Sequence, residues 1–414
     1  MLRAWEAYDV LRARKNSRAP AAAAVEHPLT GAALRTHALE ELLPFWERYA
    51  ADKVHGGYIT HLEADGTPFD TRKVVAMQAR MMYAFAAAYE MDPQARFREE
   101  AAAALDFMRK HMYDRDNGGW FSVTDRAGAV IENEKRSFDQ AYTIVGLAQH
   151  ARVFDDADAL GDAVRTFDLL ERYAVDSALG GYFESCTATW NPSSERKTVC
   201  VQLDVLYACI TLYEASHDRR YVQSAERIAN AVIDHLIDVR HGCVLEIARR
   251  NWRYDSFATR DIVWTGHNLK AAWLLLQLSE LVHEMRYAAV AQMILDYCLQ
   301  YAWDSIHGGF FHYMFRNGRI ASLEKIWWTN CEGVMVLLLA GNHWQRSDYI
   351  EMAQRLWSFC RTFYYDERHG EWFTSVHADG TTMNDRKGGN AKAAYHTVQM
   401  CFYGSSYLSG ASPA

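Results

Sequence analysis

Apolar residues recur along most of the chain with the spacing of amphipathic helices, and short alternating segments interrupt them. Segments such as "ALEELLPFWERYAAD" and "AAAALDFMRKHMYD" carry apolar residues at i, i+3, i+4 and i+7, which predicts helices. A glycine and a short alternating stretch follow, often closed by DG or NG, which predicts a β-hairpin. A second helical segment, richer in alanine, comes next, as in "MQARMMYAFAAAYE". The pattern predicts a unit of outer helix, hairpin and inner helix.

This unit occurs six times in nearly constant register. The six hairpin segments share the pattern D-x-x-x-G followed by an apolar or aromatic pair, as in "DRDNGGWF" and "DSIHGGFF". Successive aspartates of the pattern are separated by 62, 62, 62, 66 and 62 residues. They are Asp52, Asp114, Asp176, Asp238, Asp304 and Asp366. Such regular repetition predicts one repeat architecture and not several unrelated domains.

Six helix pairs can close into a ring in which the more apolar helix of each pair lies inside. An open solenoid would need polar capping repeats at its ends, and the first and last repeats are not obviously polar. We therefore predict an all-α fold, a single (α/α)6 barrel over residues 31–414, with short β-hairpins at one end. Residues 1–30 are expected to form a loose N-terminal extension.

The composition limits the classes of partner. The 414 residues are 50% hydrophobic and 13% aromatic, enough for a large core, and the formal net charge is −8. No basic run stands out, which argues against nucleic acid or an anionic membrane surface as a partner, and no apolar run is expected to span a bilayer. The eight cysteines lack CxxC or CxxH spacing, which predicts reduced thiols, no zinc site and a cytoplasmic location.

Equivalent positions of the six repeats should converge at one mouth of the barrel. About 28 residues after each aspartate of the pattern, polar residues stand where a buried inner helix would have leucine, alanine or phenylalanine. They are Arg80, Tyr142, Asp204, His267, Glu332 and His396. A single histidine or glutamate at such a place is more often a structural hydrogen-bonding residue than a catalyst. Six polar residues in register, however, predict a site.

Two histidines, carboxylates, an arginine and tryptophans in one mouth predict proton transfer on a polyhydroxylated ligand. Histidine suits acid/base work because its ordinary pKa is about 6.5, and tryptophan faces stack on the C–H surfaces of sugars. The chain has no GxGxxG dinucleotide loop, P-loop, HExxH or GxSxG motif. We therefore expect a small carbohydrate as the ligand.

Several segments resemble the N-acylglucosamine 2-epimerase superfamily, especially its cellobiose 2-epimerase branch. "GHNLKAAWLLL" resembles the superfamily's G-H-x-x-E-A-x-W-L, "EKIWWTNCEGVM" its W-W-x-x-x-E-A, and "KGGNAKAAYHTVQMC" its K-G-x-x-K-x-P-Y-H-x-x-R-x-C. "QARMMYAF" resembles its early arginine motif and "RKTVCVQLDVLYA" its K-x-x-N-x-H-L-H-x-L-E-A. The matches follow the order of the family from about residue 36 to residue 405. The (α/α)6 fold of the family agrees with the repeat count.

The resemblance implies interconversion of unphosphorylated sugars at C2, by epimerisation or aldose–ketose isomerisation through an enediolate. By motif, His267 and His396 match the two acid/base histidines of the family, and Arg80 matches the arginine that steadies the sugar oxygens. Trp328 and Glu332 match the family's tryptophan and glutamate, and Trp273 matches a tryptophan that shapes the pocket. This chemistry needs no metal and no redox cofactor, so none is expected.

The chain departs from the family around these residues. Lys270 stands where the family usually has a glutamate, and Gln202 and Asp204 stand where it has the H-x-H pair. Cys200 replaces an asparagine, and Gln399 replaces an arginine. We expect Lys270 to meet a negative charge, from an acidic sugar or from a neighbouring carboxylate such as Asp204. The residues expected to contact substrate are Trp273, Trp328, Lys270, Asp204, Gln202 and Tyr142.

Two other functions fit the same residues. An (α/α)6 glycoside hydrolase would need two carboxylates flanking the scissile bond, which Asp204 and Glu332 would supply, but it leaves the two histidines without a role. A non-catalytic sugar-binding relative would fit the altered residues around the histidines. The sequence does not fix the sugar, the choice between epimer and ketose, or whether the chain is a monomer or a homodimer.

Overall fold

The computed structural model describes residues 27–194 and 196–410, and residues 1–26 of the expected extension lie outside this part. The inner helices are Val75–Met91, Ser137–Phe154, Val199–Ser216, Thr265–Val282, Trp327–His343 and Tyr395–Leu408. The outer helices are Gly31–Thr36 with Leu43–Tyr49, Ala95–Phe107, Ala157–Leu169, Arg219–Leu236, Met285–Tyr297 and Ser347–Phe363. Turns of π-helix extend four of the outer helices at His37–Leu42, Met108–Met112, Leu170–Ala174 and Cys298–Ala302.

The inner helices close into a ring. Each packs against the next along the chain, and the sixth inner helix, Tyr395–Leu408, returns to pack against the first, Val75–Met91. Apolar side chains cover almost every face of the inner helices, because each inner helix contacts two inner neighbours and its own outer helix. The outer helices keep one polar face towards solvent. The predicted (α/α)6 barrel is confirmed.

Short strands tie neighbouring repeats together at one end of the barrel. In the first five repeats, the strand that leads into the inner helix pairs antiparallel with the first hairpin strand of the next repeat. The backbone N–H groups of Lys387 and Gly388 donate to Leu62 O and join the sixth repeat to the first. The strands are His61–Leu62, Pro68–Asp70, Lys73–Val74, Val123–Thr124, Val130–Glu132, Lys135–Arg136, Ser185–Cys186, Arg196–Thr198, Ile237–Asp238, Cys243–Val244, Ile247–Arg249, Ile262–Trp264, Tyr313–Phe315, Lys325–Ile326, Ser375–Val376 and Thr382–Asn384.

A buried lysine holds the hairpin in five of the repeats. In the first five hairpins the aspartate accepts hydrogen bonds from the backbone N–H groups two and three residues further on, as Asp52 does from Val54 and His55, and in the sixth Asp366 accepts from the N–H of Arg368. A lysine 21 residues after the aspartate pairs with the same carboxylate. The pairs are Lys73–Asp52 at 3.1 Å, Lys135–Asp114 at 2.8 Å, Lys197–Asp176 at 3.2 Å, Lys325–Asp304 at 2.8 Å and Lys387–Asp366 at 3.1 Å.

The fourth repeat is built differently. Val263, two residues before the inner helix, stands where the lysine would be, and Asp238 instead has His241 Nδ1 at 2.8 Å and Arg316 Nε at 3.5 Å. A short helix, Ser256–Thr259, lies between the hairpin and the strand Ile262–Trp264. The extra residues of this segment account for the longer interval between the fourth and fifth aspartates, and they also lie beside the mouth of the barrel.

One described helix, Val199–Ser216, is long and apolar enough to cross a bilayer by length and composition, with a mean hydropathy of 1.2. It is the third inner helix of the barrel, and 72% of it is buried inside the protein. Its apolar character is therefore explained by packing within the ring. The eight cysteines are free thiols, all buried except the half-buried Cys200.

Candidate functional site

The first two turns of the six inner helices build the site, and they place its residues in two layers. The sixth residue of each inner helix faces the axis and forms a lower ring, made of Arg80, Tyr142, Asp204, Lys270, Glu332 and Met400. The second and third residues, one turn earlier, form an upper layer that contains His267 and His396. From the sequence, the two histidines were expected in the same ring as the other four residues. The structure places them one turn earlier in their helices, which corrects this register. Extra residues before the fourth and sixth inner helices cause the difference.

Two charged side chains of the lower ring, Lys270 and Asp204, pair with each other. Lys270 Nζ pairs with Asp204 Oδ1 and lies 3.2 Å from the Tyr142 hydroxyl. The second carboxylate oxygen of Asp204 accepts from Cys200 Sγ at 3.2 Å. Although burial opposes it, the Asp204 carboxylate raises the pKa of Lys270. Lys270 is therefore a cation whose charge is balanced inside the protein by the Asp204 carboxylate.

Arg80 lies in the same ring, on the other side of Tyr142. Its guanidinium carbon is 3.9 Å from the centre of the Tyr142 ring, and Nη1 donates to Ala391 O at 2.6 Å. Its Nε has no hydrogen-bond partner among the described residues. The cation is thus held by one carbonyl and by aromatic rings, of which Tyr142 is the nearest, and its Nε–H is without a partner among the described residues.

A carboxylate orients His267 in the upper layer. His267 Nδ1 lies 2.6 Å from Glu246 Oε2, and Glu246 Oε1 accepts from the Trp264 backbone N–H at 2.7 Å. Because a carboxylate accepts and does not donate, Nδ1 carries the hydrogen and Nε2 of the neutral ring is left as a base. The indole of Trp264 stacks on the imidazole with ring centres 5.1 Å apart. These contacts fix both the tautomer and the plane of His267.

The ring of Trp328 lies close to both histidines. Its ring centre lies 5.3 Å from that of His267 and 5.7 Å from that of His396. Gly266 makes this possible, because a Cβ at Gly266 would lie 2.3 Å from the Trp328 ring. Both imidazoles therefore lie against the same aromatic side chain.

His396 faces Glu332, and burial drives both towards their neutral forms. His396 Nδ1 lies 3.3 Å from Glu332 Oε1, and neither this nitrogen nor Glu332 Oε2 has a hydrogen-bond partner among the described residues. Burial raises the pKa of Glu332 to about 7, against the opposing effect of Lys270. Burial, together with the charges of Arg80 and Lys270, holds the pKa of His396 well below its usual value. The pair can hold or release a proton near neutral pH.

A cavity of about 600 Å³ opens above this cluster. His267 and Glu246 line it from the fourth repeat, Phe138 and Cys200 from the second and third, and Trp264 and Tyr313 complete the wall. His396, Glu332 and Arg80 are not among its lining residues and are 5%, 1% and 3% exposed. Within residues 27–194 and 196–410, no three His, Cys, Asp or Glu side chains are arranged to hold a metal ion.

Two residues expected to contact substrate lie elsewhere. Both amide atoms of Gln202 bond to the backbone of Tyr182, at 2.9 Å from its N–H and 2.9 Å from its carbonyl. Gln78 and Gln140 hold the equivalent residues of the first two hairpins in the same way. Gln202 is thus placed as a structural amide of the repeat. Trp273 is fully buried deeper in the barrel and donates to the Tyr407 hydroxyl at 2.9 Å.

The sequence analysis missed Glu246. It is the eighth residue after Asp238, in the hairpin of the fourth repeat. The same count in the other repeats leads to polar residues, namely Thr60, Ser122, Glu184, His312 and Thr374. A second polar register in the hairpins was therefore visible in the sequence. It lies above the inner-helix register because the hairpins cover that end of the barrel.

Comparison with known proteins gives a consistent family. The profile of the N-acylglucosamine 2-epimerase family matches residues 57–400. A cellobiose 2-epimerase from Bacteroides fragilis is 24% identical over 375 residues, which cover 87% of this chain and 94% of the relative. A D-mannose isomerase from Marinomonas mediterranea is 21% identical over 377 residues, covering 88% of this chain and 94% of the relative. The solved cellobiose 2-epimerase of Spirochaeta thermophila superposes with a TM-score of 0.85 at 24% identity, covering 92% of this chain and 96% of the other.

Proposed function

The chain belongs to the N-acylglucosamine 2-epimerase family of carbohydrate epimerases and isomerases, and on this premise we propose that His267 and His396 transfer a proton at C2 of a free, unphosphorylated sugar. The observation that carries the proposal is the contact of both imidazoles with Trp328, together with the orientation of one of them by Glu246. Two bases close to one bound sugar can remove a proton and return it at the same carbon.

In the proposed reaction the sugar enters in its open-chain form. One histidine removes the proton from C2, and the electron pair of the C–H bond passes into an enediolate whose negative charge lies on the former carbonyl oxygen. Arg80 stabilises this charge, since its cation is buried and its Nε is free to donate. Return of a proton to the opposite face of C2 re-forms the C1 carbonyl and gives the epimer. If the hydroxyl proton moves from O2 to O1 and the carbon-bound proton returns to C1, C2 becomes the carbonyl and the product is the ketose.

The charges around the cavity favour an uncharged sugar. The carboxylates of Glu134, Glu184 and Glu246 line it, and Arg136 is the basic side chain among its lining residues. Arg136 Nε lies 3.3 Å from Glu134, so its charge is already answered. A phosphate or carboxylate would meet net negative charge there. Lys270 does not change this balance, because it is paired with Asp204.

The hydrolase alternative loses one of its two carboxylates in this arrangement. Asp204 binds Lys270 through one oxygen and accepts from Cys200 through the other. Asp204 is therefore not available as the partner of Glu332 that a hydrolase would need, whereas both histidines have a place in proton transfer. The contacts of the described residues therefore favour an isomerase over a glycoside hydrolase.

We also propose that the protein is located in the cytoplasm. The eight free thiols, seven of them buried, support a reducing compartment such as the cytoplasm. Cell fractionation followed by thiol labelling of the native protein would check this location.

The decisive experiment is incubation with free sugars in D2O, followed by NMR. Cellobiose, mannose, N-acetylglucosamine, glucose and glucuronic acid form the panel. We expect deuterium to enter C2 of at least one uncharged sugar, with formation of its epimer or ketose, and we expect His396→Asn to abolish this exchange. Absence of exchange on the whole panel, or exchange at the normal rate in both histidine variants, would reject the proposal.

A further inference from the structure

A third histidine, His312, lies near His267, and no step of the proposed reaction uses it. It is the eighth residue after Asp304, in the hairpin of the fifth repeat, and so has the same register as Glu246 in the fourth. His312 is 1% exposed and is not among the residues that line the cavity. Any part that His312 plays in the reaction must therefore act through other side chains.

The ring of His312 belongs to a closed cluster of four aromatic side chains, in which each ring contacts two of the others. The members of this four-ring cluster are His267, Trp264, His312 and Trp328. The ring centre of Trp264 lies 5.1 Å from that of His267 and 5.2 Å from that of His312. The ring centre of Trp328 lies 5.3 Å from each of the same two histidines. The two indoles that contact His267 are therefore the two that contact His312.

Hydrogen bonds of the backbone and of the side chain fix His312 in place. Its N–H donates to Glu324 O at 3.0 Å, and its carbonyl oxygen accepts from the N–H of Thr265, the first residue of the fourth inner helix, at 2.8 Å. Its Nδ1 is hydrogen-bonded to Oγ1 of Thr329, the third residue of the fifth inner helix. His312 is therefore tied to the first turn of both inner helices that border the four-ring cluster.

The environment of His312 keeps its ring neutral. Burial, together with the charge of the nearby His267, holds the pKa of His312 well below its usual value. A protonated His312 would oppose proton uptake by His267, because the two charges would be alike. The neutral ring can pack against the indoles without this repulsion.

The two indoles supply a constraint on His267 that its carboxylate partner lacks. The hydrogen bond from His267 Nδ1 to Glu246 leaves the ring free to turn about the line that joins the two atoms. The indoles oppose this rotation, since Trp264 is parallel to the His267 ring within 11° and Trp328 lies against it at 51°. A displacement of about 1 Å in a reacting group can lower the rate by about 100-fold. A residue that holds both indoles therefore also holds the base in its reacting position.

We propose that His312 is a positioning residue for the proton transfer, which holds Trp264 and Trp328 against His267 and so fixes the direction of Nε2 of that base. This inference rests on the proposed function, since the direction of Nε2 matters for catalysis only if His267 transfers a proton. Loss of the His312 ring should lower kcat more than it changes KM, because both indoles stay in the site and the base loses its orientation.

The kinetic test compares three variants of the full-length protein in the exchange of deuterium into C2. His312→Ala removes the ring, and His312→Phe keeps an aromatic ring without its polar atoms. Phe311→Ala, at the adjacent buried residue of the same hairpin, is the control for lost packing. We expect His312→Ala to lower kcat by about 10–100-fold with a smaller effect on KM, and His312→Phe to keep most of the activity. Phe311→Ala should keep kcat although it lowers the stability of the protein.

A measurement without substrate tests the geometry by itself. In protein labelled with ¹³C at the histidine Cε1 atoms, the NMR signal of His267 is the one that disappears in His267→Asn. The ring currents of the two indoles displace this signal, so we expect it to move in His312→Ala and to stay near its wild-type position in Phe311→Ala. If it moves in this way while the wild-type protein exchanges no C2 proton, the proposed function is rejected and the arrangement of the four rings stands.

Four results would overturn the proposal. An unchanged kcat in His312→Ala would show that the ring is not needed, and an unchanged His267 signal would show that it does not orient the base. A loss in His312→Phe as large as that in His267→Asn would make His312 an acid/base group itself. An equal loss of kcat in Phe311→Ala would assign the effect to packing in general.

A further variant covers the case in which His312→Ala fails to fold. Thr329→Val keeps the His312 ring and removes the hydrogen bond to its Nδ1. We expect kcat to fall by a smaller factor than in His312→Ala, with KM little changed, because the ring is then held by packing alone. An unchanged kcat in Thr329→Val would overturn the proposal in that case.

Discussion

Lys270 and Asp204 form a buried ion pair in the ring of side chains beneath the two histidines. Lys270 Nζ contacts Asp204 Oδ1 and also lies 3.2 Å from the Tyr142 hydroxyl, and the side chains of Lys270 and Asp204 are 6% and 3% exposed. Where the family usually has glutamate and histidine, this chain has lysine and aspartate. Because the two charges balance each other, Lys270 does not supply a free cation to the cavity above.

Replacing Lys270 by methionine should destabilise the protein by about 3–5 kcal/mol, because Asp204 would remain as an unpaired buried charge. The double variant Lys270→Met/Asp204→Asn should recover most of this loss. Denaturant unfolding measures the free energies, and Lys53→Met, at an exposed pair with Glu100, should cost less than about 1 kcal/mol. Equal stability of the single and double variants would contradict the pairing.

The same pair predicts how the enzyme treats charged sugars. Lys270→Glu should reduce turnover of neutral and acidic sugars by similar factors, because the wild-type lysine is engaged by Asp204 and not by substrate. Steady-state kinetics with glucose and glucuronic acid side by side make the comparison. A selective rise in KM for the acidic sugar would show instead that Lys270 reaches the ligand.

Removing either histidine should stop proton transfer while leaving the barrel folded. His267→Asn and His396→Asn should each lower kcat by about 10²–10⁴-fold, the usual contribution of one general acid or base. His150→Asn is the matched control, since His150 is a buried histidine near the other end of an inner helix, with Asp156 at 3.4 Å. Deuterium entry at C2 is the readout. Near-normal exchange in His396→Asn would remove this histidine from the mechanism.

The sequence predicts the barrel well because the pattern of one repeat unit occurs six times. The aspartate–glycine pattern and the two helical periods recur in every repeat, so errors in one copy are corrected by the others. The register of the site was harder to predict. Four extra residues in the fourth repeat move Lys270, and not His267, into line with Asp204, and only the helix starts reveal this.

Long-range contacts explain what else the sequence could not give. The sequence left two partners open for Lys270, an acidic sugar or a carboxylate such as Asp204, and it could not decide between them. In the structure Lys270 contacts Asp204, 66 residues away. Gln202 resembles a substrate-binding residue when it is compared with the family motif. Comparison with Gln78 and Gln140 at the same register of this chain's own repeats would have assigned it to the hairpin backbone.

Glu246 should matter as much as its position beside His267 implies. Glu246→Gln keeps an acceptor for the Trp264 N–H but removes the charge that holds His267 Nδ1–H. We expect kcat to fall by about 10–100-fold, the effect of losing a charge-assisted hydrogen bond, with little change in KM. The control is Glu184→Gln, the equivalent carboxylate of the third hairpin, which also lines the cavity. Equal effects of the two changes would mean that Glu246 acts only through the charge of the cavity.

The free energy of unfolding should depend on pH through the ionisation of Glu332. Burial raises the pKa of Glu332 to about 7 from its usual value of 4.5. The folded state therefore binds more protons than the unfolded state between these two values, so the free energy of unfolding falls as the pH rises through this window. A shift of this size corresponds to about 3 kcal/mol once the pH exceeds the folded-state value.

Glu332→Gln removes this dependence, because the amide does not titrate. Relative to wild type, the variant should gain stability steadily as the pH is raised from about 5 to about 8, and then level off. Urea unfolding of both proteins at several pH values in this range measures the difference, and the fluorescence of the buried tryptophans reports the transition. The slope has a definite sign: a variant that loses ground to wild type as the pH rises would show that the Glu332 carboxylate is stabilised in the folded protein. A constant difference would show that the folded barrel does not hold the proton on Glu332, and that the side chain facing His396 is an ordinary carboxylate.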